Sequence, residues 1–329
     1  MKYKVSIIVP IYNVEAYISK CAKSILAQTL TDVEFIFVDD CSPDNSVEIL
    51  MQVVERFPQR KRHVKVIRMP RNLGAATARN AGLDTARGKY VMFADSDDWM
   101  EETYVEDMVA KIDANQSDIA YCDYFETYKD KKRYICQNHG TDATNCILAM
   151  LTGGMHGSTC NKIYRRTFLI DSHQRFVDGA DLFEDVGWNI RLFTLAGRIS
   201  YLNKAYYHYV QYNEGSIIKS MQSTDMSRQR VLQRIRNVDV ACKFLDEQGM
   251  LTDKLLSAAN EWKLLAKNDF LEENKRSMIR WIVTFPESDT AIWKSDRLSL
   301  NLKLLLTWLH CRCLWMYKFQ KWITKQFRR

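Results

Sequence analysis

The sequence predicts an α/β protein: a mostly parallel, doubly wound sheet with flanking helices, followed by a helical C-terminal region. Three observations carry this. Short apolar runs alternate with longer amphipathic stretches through the first hundred residues, the signature of βαβ units. Only 12 Gly and 5 Pro occur in 329 residues, too few for a loop-rich all-β chain. From about residue 225 the apolar spacing is helical throughout.

Lys4 to Ile11 is a nearly continuous apolar run, as expected for a strand buried on both faces. Residues 15–28 set Ala16, Ile18, Cys21, Ala22, Ile25 and Leu26 at helical spacing. Strands follow at Val33 to Val38, Val64 to Ile67, Tyr90 to Ala94 and Ile119 to Cys122, with helices at Ser46 to Phe57, Ala75 to Ala86 and Thr103 to Ala114. Between 125 and 220 the pattern loosens. Loops at Lys129 to Arg133 and Gly153 to Gly157 flank a helix at 143–151, then Phe183 to Leu195 reads as a helix and Ile199 to Val210 as one or two strands. Helices are expected at 226–247, 253–270, 275–284 and 300–327. The domains are therefore read as 1–220, with halves 1–115 and 116–220, and 221–329, ending in a basic amphipathic tail at 300–329.

Hydrophobic residues make up 47% and charged residues 26%, which excludes a disordered, collagenous or disulfide-scaffold chain. The apolar runs fall short of the ~20 residues that span a bilayer. The run at Val5 to Val9 is cut by Pro10 with no small-residue cleavage site after it, so a cytoplasmic location is expected. Nine cysteines, an odd count without a C-x-x-C pair, read as reduced buried thiols. Charge is unevenly placed. Residues 301–329 carry Lys303, Arg312, Lys318, Lys321, Lys325, Arg328 and Arg329 and no acid; the other 40 of 47 basic residues balance the 40 acidic ones. A uniformly basic nucleic-acid binder is disfavoured.

In open α/β sheets ligands bind outside the carboxyl ends of the strands. Here those ends display Pro10-Ile-Tyr12-Asn13, Asp39-Asp40-Cys-Ser42-Pro-Asp44 and Asp95-Ser-Asp97-Asp98. Crowded carboxylates call for a cation, and hard divalent ions take one or two carboxylates plus phosphate oxygens and water. Asp95-x-Asp97 is thus a candidate metal and phosphate point; a solvated acidic turn is the plainer reading. No P-loop and no G-x-G-x-x-G follows the first strand, against a P-loop NTPase or dinucleotide dehydrogenase.

Val5-Ser-Ile-Ile-Val-Pro-Ile-Tyr-Asn13, Phe37-Val-Asp-Asp-Cys-Ser-Pro-Asp-Asn-Ser46, Asn72-Leu-Gly-Ala-Ala-Thr-Ala-Arg-Asn-Ala-Gly82 and Ala94-Asp-Ser-Asp-Asp98 resemble, in order, the motifs of family 2 glycosyltransferases. Cys41 departs from the usual Gly of the Asp-Asp-Gly-Ser turn. The resemblance covers residues 1 to about 215, the later half loosely. It implies a GT-A fold, a UDP-sugar donor, Mn²⁺ or Mg²⁺, and inversion at the anomeric carbon. It further implies that Pro10, Tyr12 and Asn13 line the donor's base, that Asp39 accepts its imide N–H, and that Arg79 approaches base or diphosphate. Asp95 would contact the ribose and Asp97 the metal. Phe183-Glu-Asp-Val-Gly-Trp-Asn-Ile-Arg191 resembles the family's Glu-Asp element and implies Asp185 as general base. Asn161-Lys162 looks like the segment facing donor sugar or acceptor. His208, in Tyr206-Tyr-His-Tyr-Val-Gln-Tyr-Asn213, is a candidate metal ligand or diphosphate contact, or else a hydrogen-bonded strand histidine; Asn213 and Ser216 are weaker candidates.

Projected as one helix, the tail sets Leu302, Leu305, Leu306, Leu309, Cys313, Met316, Ile323 and Phe327 on one face and Lys303, Lys318, Lys321 and Lys325 opposite, with Trp308, Trp315 and Trp322 along a flank. That pattern suits a helix lying in an anionic membrane interface. Docking on its own domain or on a partner subunit is the other reading, and an oligomer is compatible with it. The function expected is transfer from a UDP-sugar to a hydroxyl of a lipid-linked saccharide in surface polysaccharide synthesis, peripheral on the inner face of the cell membrane. The rival readings are a nucleotidyltransferase and a non-enzymatic membrane-associated scaffold with a vestigial nucleotide site.

Overall fold

The computed structural model describes residues 3–213, 228–271 and 275–326. The chain divides into two units, Met1–Gln222 and Ser223–Arg329. In the first unit the strands are β1 Val5–Ile11, β2 Val33–Asp39, β3 Val64–Arg68, β4 Tyr90–Phe93, β5 Trp99–Met100, β6 Ile119–Thr127, β7 Lys132–Ile135, β8 Lys162–Arg165 and β9 Ile199–Val210. Its helices are α1 Ile18–Leu26, α2 Ser46–Glu55, α3 Pro58–Lys61, α4 Ala75–Thr85, α5 Tyr104–Asn115, α6 Ala143–Thr152, α7 Arg166–Asp171 and α8 Glu184–Leu195.

The sheet runs β3-β2-β1-β4-β8-β6-β9-β5, with β7 paired to β6. The first four strands are parallel, as the continuous apolar runs predict: all seven residues of β2 and six of seven in β1 are buried. Beyond β4 the sheet becomes mixed. β8 is antiparallel to both β4 and β6, while β9 is parallel to β6 with a register irregularity around Cys122–Asp123. The carboxyl ends of β1, β2, β4, β6 and β9 therefore share one edge, and β8 enters the sheet from that edge at Lys162. The basic loop expected at Lys129 to Arg133 is a hairpin instead, closed by the Tyr128 N–H to Lys131 carbonyl bond at 2.8 Å and continued as β7. The core clusters Ile7, Val9, Phe35, Phe37, Met92, Met108 and Ile163 between sheet and helices.

The second unit contains α9 Arg228–Glu247, α10 Asp253–Lys267, α11 Lys275–Val283, α12 Leu300–His310 and α13 Leu314–Gln326, with 3-10 turns at 268–270 and 286–291. Its core holds Val231, Leu264, Met278, Trp281, Leu306, Leu309 and Tyr317. The single terminal helix expected over 300–327 is broken. Arg312 takes φ 57°, a left-handed conformation that stops α12 and lets α13 begin at Leu314. Leu306 and Leu309, expected on a membrane-facing stripe, are buried in this unit's own core, and Trp308 Nε1 donates to Gln320 Oε1 at 2.7 Å. Trp315, Phe319 and Trp322 of α13 remain exposed. No described helix is long and apolar enough to cross a membrane.

Candidate active site

The β2 end is a turn whose acids are held by the backbone. Asp39 Oδ1 accepts the Ser42 N–H at 2.9 Å. Asp40 accepts the N–H groups of Leu73 and Gly74 at 2.8 and 2.7 Å, fixing the loop that leads into α4. Asp44 accepts from the Glu15 N–H and from the Ser42 and Ser46 hydroxyls, which together hold its carboxyl below the usual range despite partial burial. Cys41 sits at φ 59°, which is why Gly suits this position. Asn13, at φ 53°, donates its N–H to Ser42 Oγ at 2.8 Å, and Tyr12 is 47% exposed. Because Pro10 pairs with Val38 and Ile11 with Asp39, these donor-side candidates stand together at the adjacent ends of β1 and β2.

The β4 end is different. Asp95 Oδ1 accepts from Arg79 Nη2 at 2.8 Å and Oδ2 from the Cys160 thiol at 3.2 Å, while its N–H donates to the Tyr207 hydroxyl at 3.0 Å. Asp98 is buried, accepting from the Val210 N–H at 2.7 Å and from Tyr207 at 2.8 Å. Asp97 accepts from Asn213 Nδ2 at 2.7 Å, and burial, then the Asp95 charge, push its carboxyl up. With β1 alone between β2 and β4, the two ends lie about 10 Å apart.

The second half supplies Glu184 and Asp185 in the first turn of α8, which starts after Phe183 at φ 61°. Arg79, 5% exposed, donates to Glu184 Oε1 at 2.8 Å as well as to Asp95, so it ties the β4 turn to the head of α8; its Nε has no hydrogen-bond partner. Asp185 Oδ1 accepts the Val186 N–H at 2.8 Å. Burial raises its pKa, Arg79 opposes this, and Asp95 adds to it. Tyr209 reports the clustering: after burial, its hydroxyl is pushed up by Asp98, Asp95, Asp185 and Asp97. The carboxylates after β4 and at the head of α8 thus share one electrostatic neighbourhood.

Three candidates take other roles. His208 is fully buried on the strand face opposite Tyr207 and Tyr209; its Nε2 meets Glu101 at 2.8 Å and its Nδ1 Thr127 at 3.0 Å. Both nitrogens are used, and the ring is stacked on Trp99 with centroids 3.4 Å apart, so it is a strand histidine rather than a metal ligand. Lys162 is fully buried and donates to the carbonyls of His156 and Ser158 and to Asn161 Oδ1 at 3.0, 2.6 and 2.8 Å. It pins the loop before β8 instead of facing a sugar, and burial lowers its pKa to about 8. Arg79 is occupied by two carboxylates, not aimed at open space. Ser216 lies outside the described residues. The motifs do not single out Tyr207, Tyr209, Cys160 or Glu184, although the alternation of Tyr207 and Tyr209 across His208 is the mark of one strand face.

Residues 6–172 match the family described as Glycosyl transferase family 2. The chain is 30% identical over 284 residues to the putative glycosyltransferase EpsH of Bacillus subtilis, covering 82% of this chain and 80% of that one. It is 29% identical over 257 residues to the poly(ribitol-phosphate) beta-N-acetylglucosaminyltransferase TarS of Staphylococcus aureus, covering 77% of this chain and 43% of TarS. The crystal structure of S. aureus TarS 1–349 superposes with a TM-score of 0.67 at 22% identity, over 98% of this chain and 91% of that one. The same fragment in complex with UDP-GlcNAc superposes at 0.60 and 21% identity, over 98% and 92% of the two chains. The shared fold is the GT-A arrangement of a mixed sheet with flanking helices. Ordered motifs on one sheet edge, a matching family over half the chain and a relative aligned along most of its length agree: this chain belongs to glycosyltransferase family 2 and is a glycosyltransferase.

Proposed function

We propose that the enzyme transfers a sugar from a UDP-sugar to a hydroxyl of a lipid-linked saccharide during surface polysaccharide synthesis, with inversion and with a divalent cation. The observation that carries this reading is the Arg79 bridge, which at 2.8 Å to each side joins Asp95, two residues before Asp97, to Glu184 beside Asp185. Pro10, Tyr12, Asn13 and Asp39 hold the base, Asp39 accepting the uracil imide N–H. Asp185, raised by burial, takes the acceptor proton as the hydroxyl oxygen bonds to the anomeric carbon and the bond from that carbon to the diphosphate oxygen breaks. Arg79 holds Asp95 and the head of α8 in register for this step.

Among the described residues no three Asp, Glu, His or Cys side chains converge as a self-sufficient metal site. That suits Mn²⁺ or Mg²⁺ held by one or two carboxylates and otherwise by the donor's diphosphate. Asp97, with Asp95 beside it, fits this part: burial and like charge resist its ionisation, which a cation would relieve. Such a cation supplies charge stabilisation to the leaving diphosphate.

Peripheral attachment to the inner face of the cell membrane, at an anionic lipid surface, is supported by exposed Trp315, Phe319 and Trp322 in a tail without acidic residues. The test of the whole reading is turnover of a UDP-sugar panel, UDP-GlcNAc first, with and without Mn²⁺, by wild type and Asp97→Ala. Metal-stimulated turnover in wild type alone is expected; equal rates in both proteins would remove the metal reading.

A further inference from the structure

The segment 156–160 touches both ends of the candidate active site. Gly157 packs on the first turn of α8 at Val186, the residue after Asp185: a Cβ there would lie 2.5 Å from Val186 Cγ2. Asn189 Nδ2 of α8 donates to the Gly157 carbonyl at 2.7 Å. Three residues on, the Cys160 thiol donates to Asp95 at 3.2 Å. His156 leads this segment, and its ring stands beside two tyrosines of the sheet. Tyr124 of β6 lies 5.1 Å away between centroids and Tyr209 of β9 5.4 Å, and the two are 6.4 Å from each other.

These three rings, with Ser158, Cys160, Asn161 and Tyr207, line a cavity of about 10 Å³, room for one water-sized group. The other walls are committed. Ser158 Oγ accepts the Cys160 N–H, and Asn161 Nδ2 donates to the Cys122 carbonyl. The Tyr207 hydroxyl accepts the Asp95 N–H and donates to Asp98. The three rings are not committed. His156 Nδ1 accepts the Ser158 N–H at 3.3 Å, which puts the ring proton on Nε2. Neither this N–H nor the hydroxyl of Tyr124 or Tyr209 has a hydrogen-bond partner among the described residues, although Tyr124 is only 7% exposed. Burial, then Lys162, lowers the His156 pKa to about 4, so the ring is uncharged. Enclosed polar groups are normally paired, and three free donors around one small cavity match a group that brings lone pairs. A hydroxyl fits in size and charge. An anionic group would meet Asp95 directly behind the Cys160 wall.

We propose that His156, Tyr124 and Tyr209 hold one hydroxyl of the sugar being transferred, so that this pocket selects the donor sugar. The inference rests on the glycosyl-transfer reading above and deepens it. The anomeric carbon is bonded to the diphosphate, at the β4 end in that reading, and is attacked from the opposite side by the hydroxyl that Asp185 deprotonates. The transferred ring therefore lies between the β4 turn and the head of α8, the two places that the 156–160 segment touches.

The test measures donor affinity and kcat/KM in the full chain for wild type, Tyr209→Phe, His156→Phe and His156→Gln. The probes are UDP, UDP-GlcNAc, UDP-glucose and GDP-mannose, with analogues of each sugar nucleotide that lack a single sugar hydroxyl. One analogue should bind wild type about tenfold more weakly than its parent, and Tyr209→Phe and His156→Phe should bring the parent down to that level without weakening the analogue further. His156→Gln, which keeps an N–H donor, should stay within about threefold of wild type, and UDP affinity should hold throughout. Equal losses for every analogue would assign the cavity to a structural water, and a loss confined to the acceptor's KM would assign it to an acceptor hydroxyl; either overturns the proposal. Unchanged donor affinity in both Phe variants does so too. The same pairing found on GDP-mannose alone keeps the pocket and removes the UDP reading, whereas UDP-sugars turned over without it keep that reading and remove the pocket.

Discussion

The turns after β2 and β4 are built from the same acid, yet they spend it differently. After β2, Asp40 and Asp44 accept from backbone N–H groups and nearby hydroxyls, so their charge is used to shape the loop. After β4, Asp95 is paired with Arg79, and burial together with the neighbouring carboxylates raises Asp97 and Asp98. A carboxylate whose two oxygens are both bonded by its own fold has little left for a ligand; Asp97, which accepts from Asn213 on one oxygen, has more. The comparison separates aspartates whose charge shapes a loop from Asp97, to which the proposed reading gives a cation, where sequence spacing alone treats them alike.

The sharpest break of that comparison is at the head of α8. Asp185→Asn should lower transfer by about 10²–10⁴-fold while leaving UDP affinity intact, measured by steady-state kinetics and titration. The acid limb of kcat/KM should lie above the ordinary carboxylate range, since burial raises Asp185, and activity should fall as pH drops through it. A limb near the free-aspartate value would remove the base assignment. Next, Asp97→Asn should cost about 10²–10³-fold in turnover and abolish its response to added Mn²⁺.

On the β2 side the loss should appear in stability instead. Asp44→Ala should lower unfolding free energy by about 2 kcal/mol in a denaturant titration, with activity per folded molecule little changed. Because the folded carboxyl lies below its unfolded value, the wild-type advantage is present above about pH 3.9 and is lost as pH falls through the folded value. The smallest effect is Cys41→Gly, which relieves a left-handed Cβ and should stabilise by up to about 1 kcal/mol, read as a raised denaturant midpoint at unchanged slope.

The parallel half of the sheet and the strand-end acids were legible because each depends on local pattern: continuous apolar runs at β1 and β2, then Asp at the point where the run stops. Lys162 and His208 were not, because their roles are set by distant partners. The carbonyls of a preceding loop claim one, and an aromatic stack with Glu101 and Thr127 claims the other. β5 spans two residues, Trp99–Met100, too short for any periodicity. The turn after α12 is made at Arg312, a residue type that announces no left-handed conformation, so the helical pattern runs on through a break.

The reversed strand β8 has one more consequence. Since it enters the sheet from the edge where β1, β2 and β4 end, the segment arriving there, residues 136–161, is anchored at its end by the Lys162 ammonium on the His156 and Ser158 carbonyls. The same segment delivers the Cys160 thiol to Asp95, so a change of length between 136 and 159 is felt at that carboxylate through one residue.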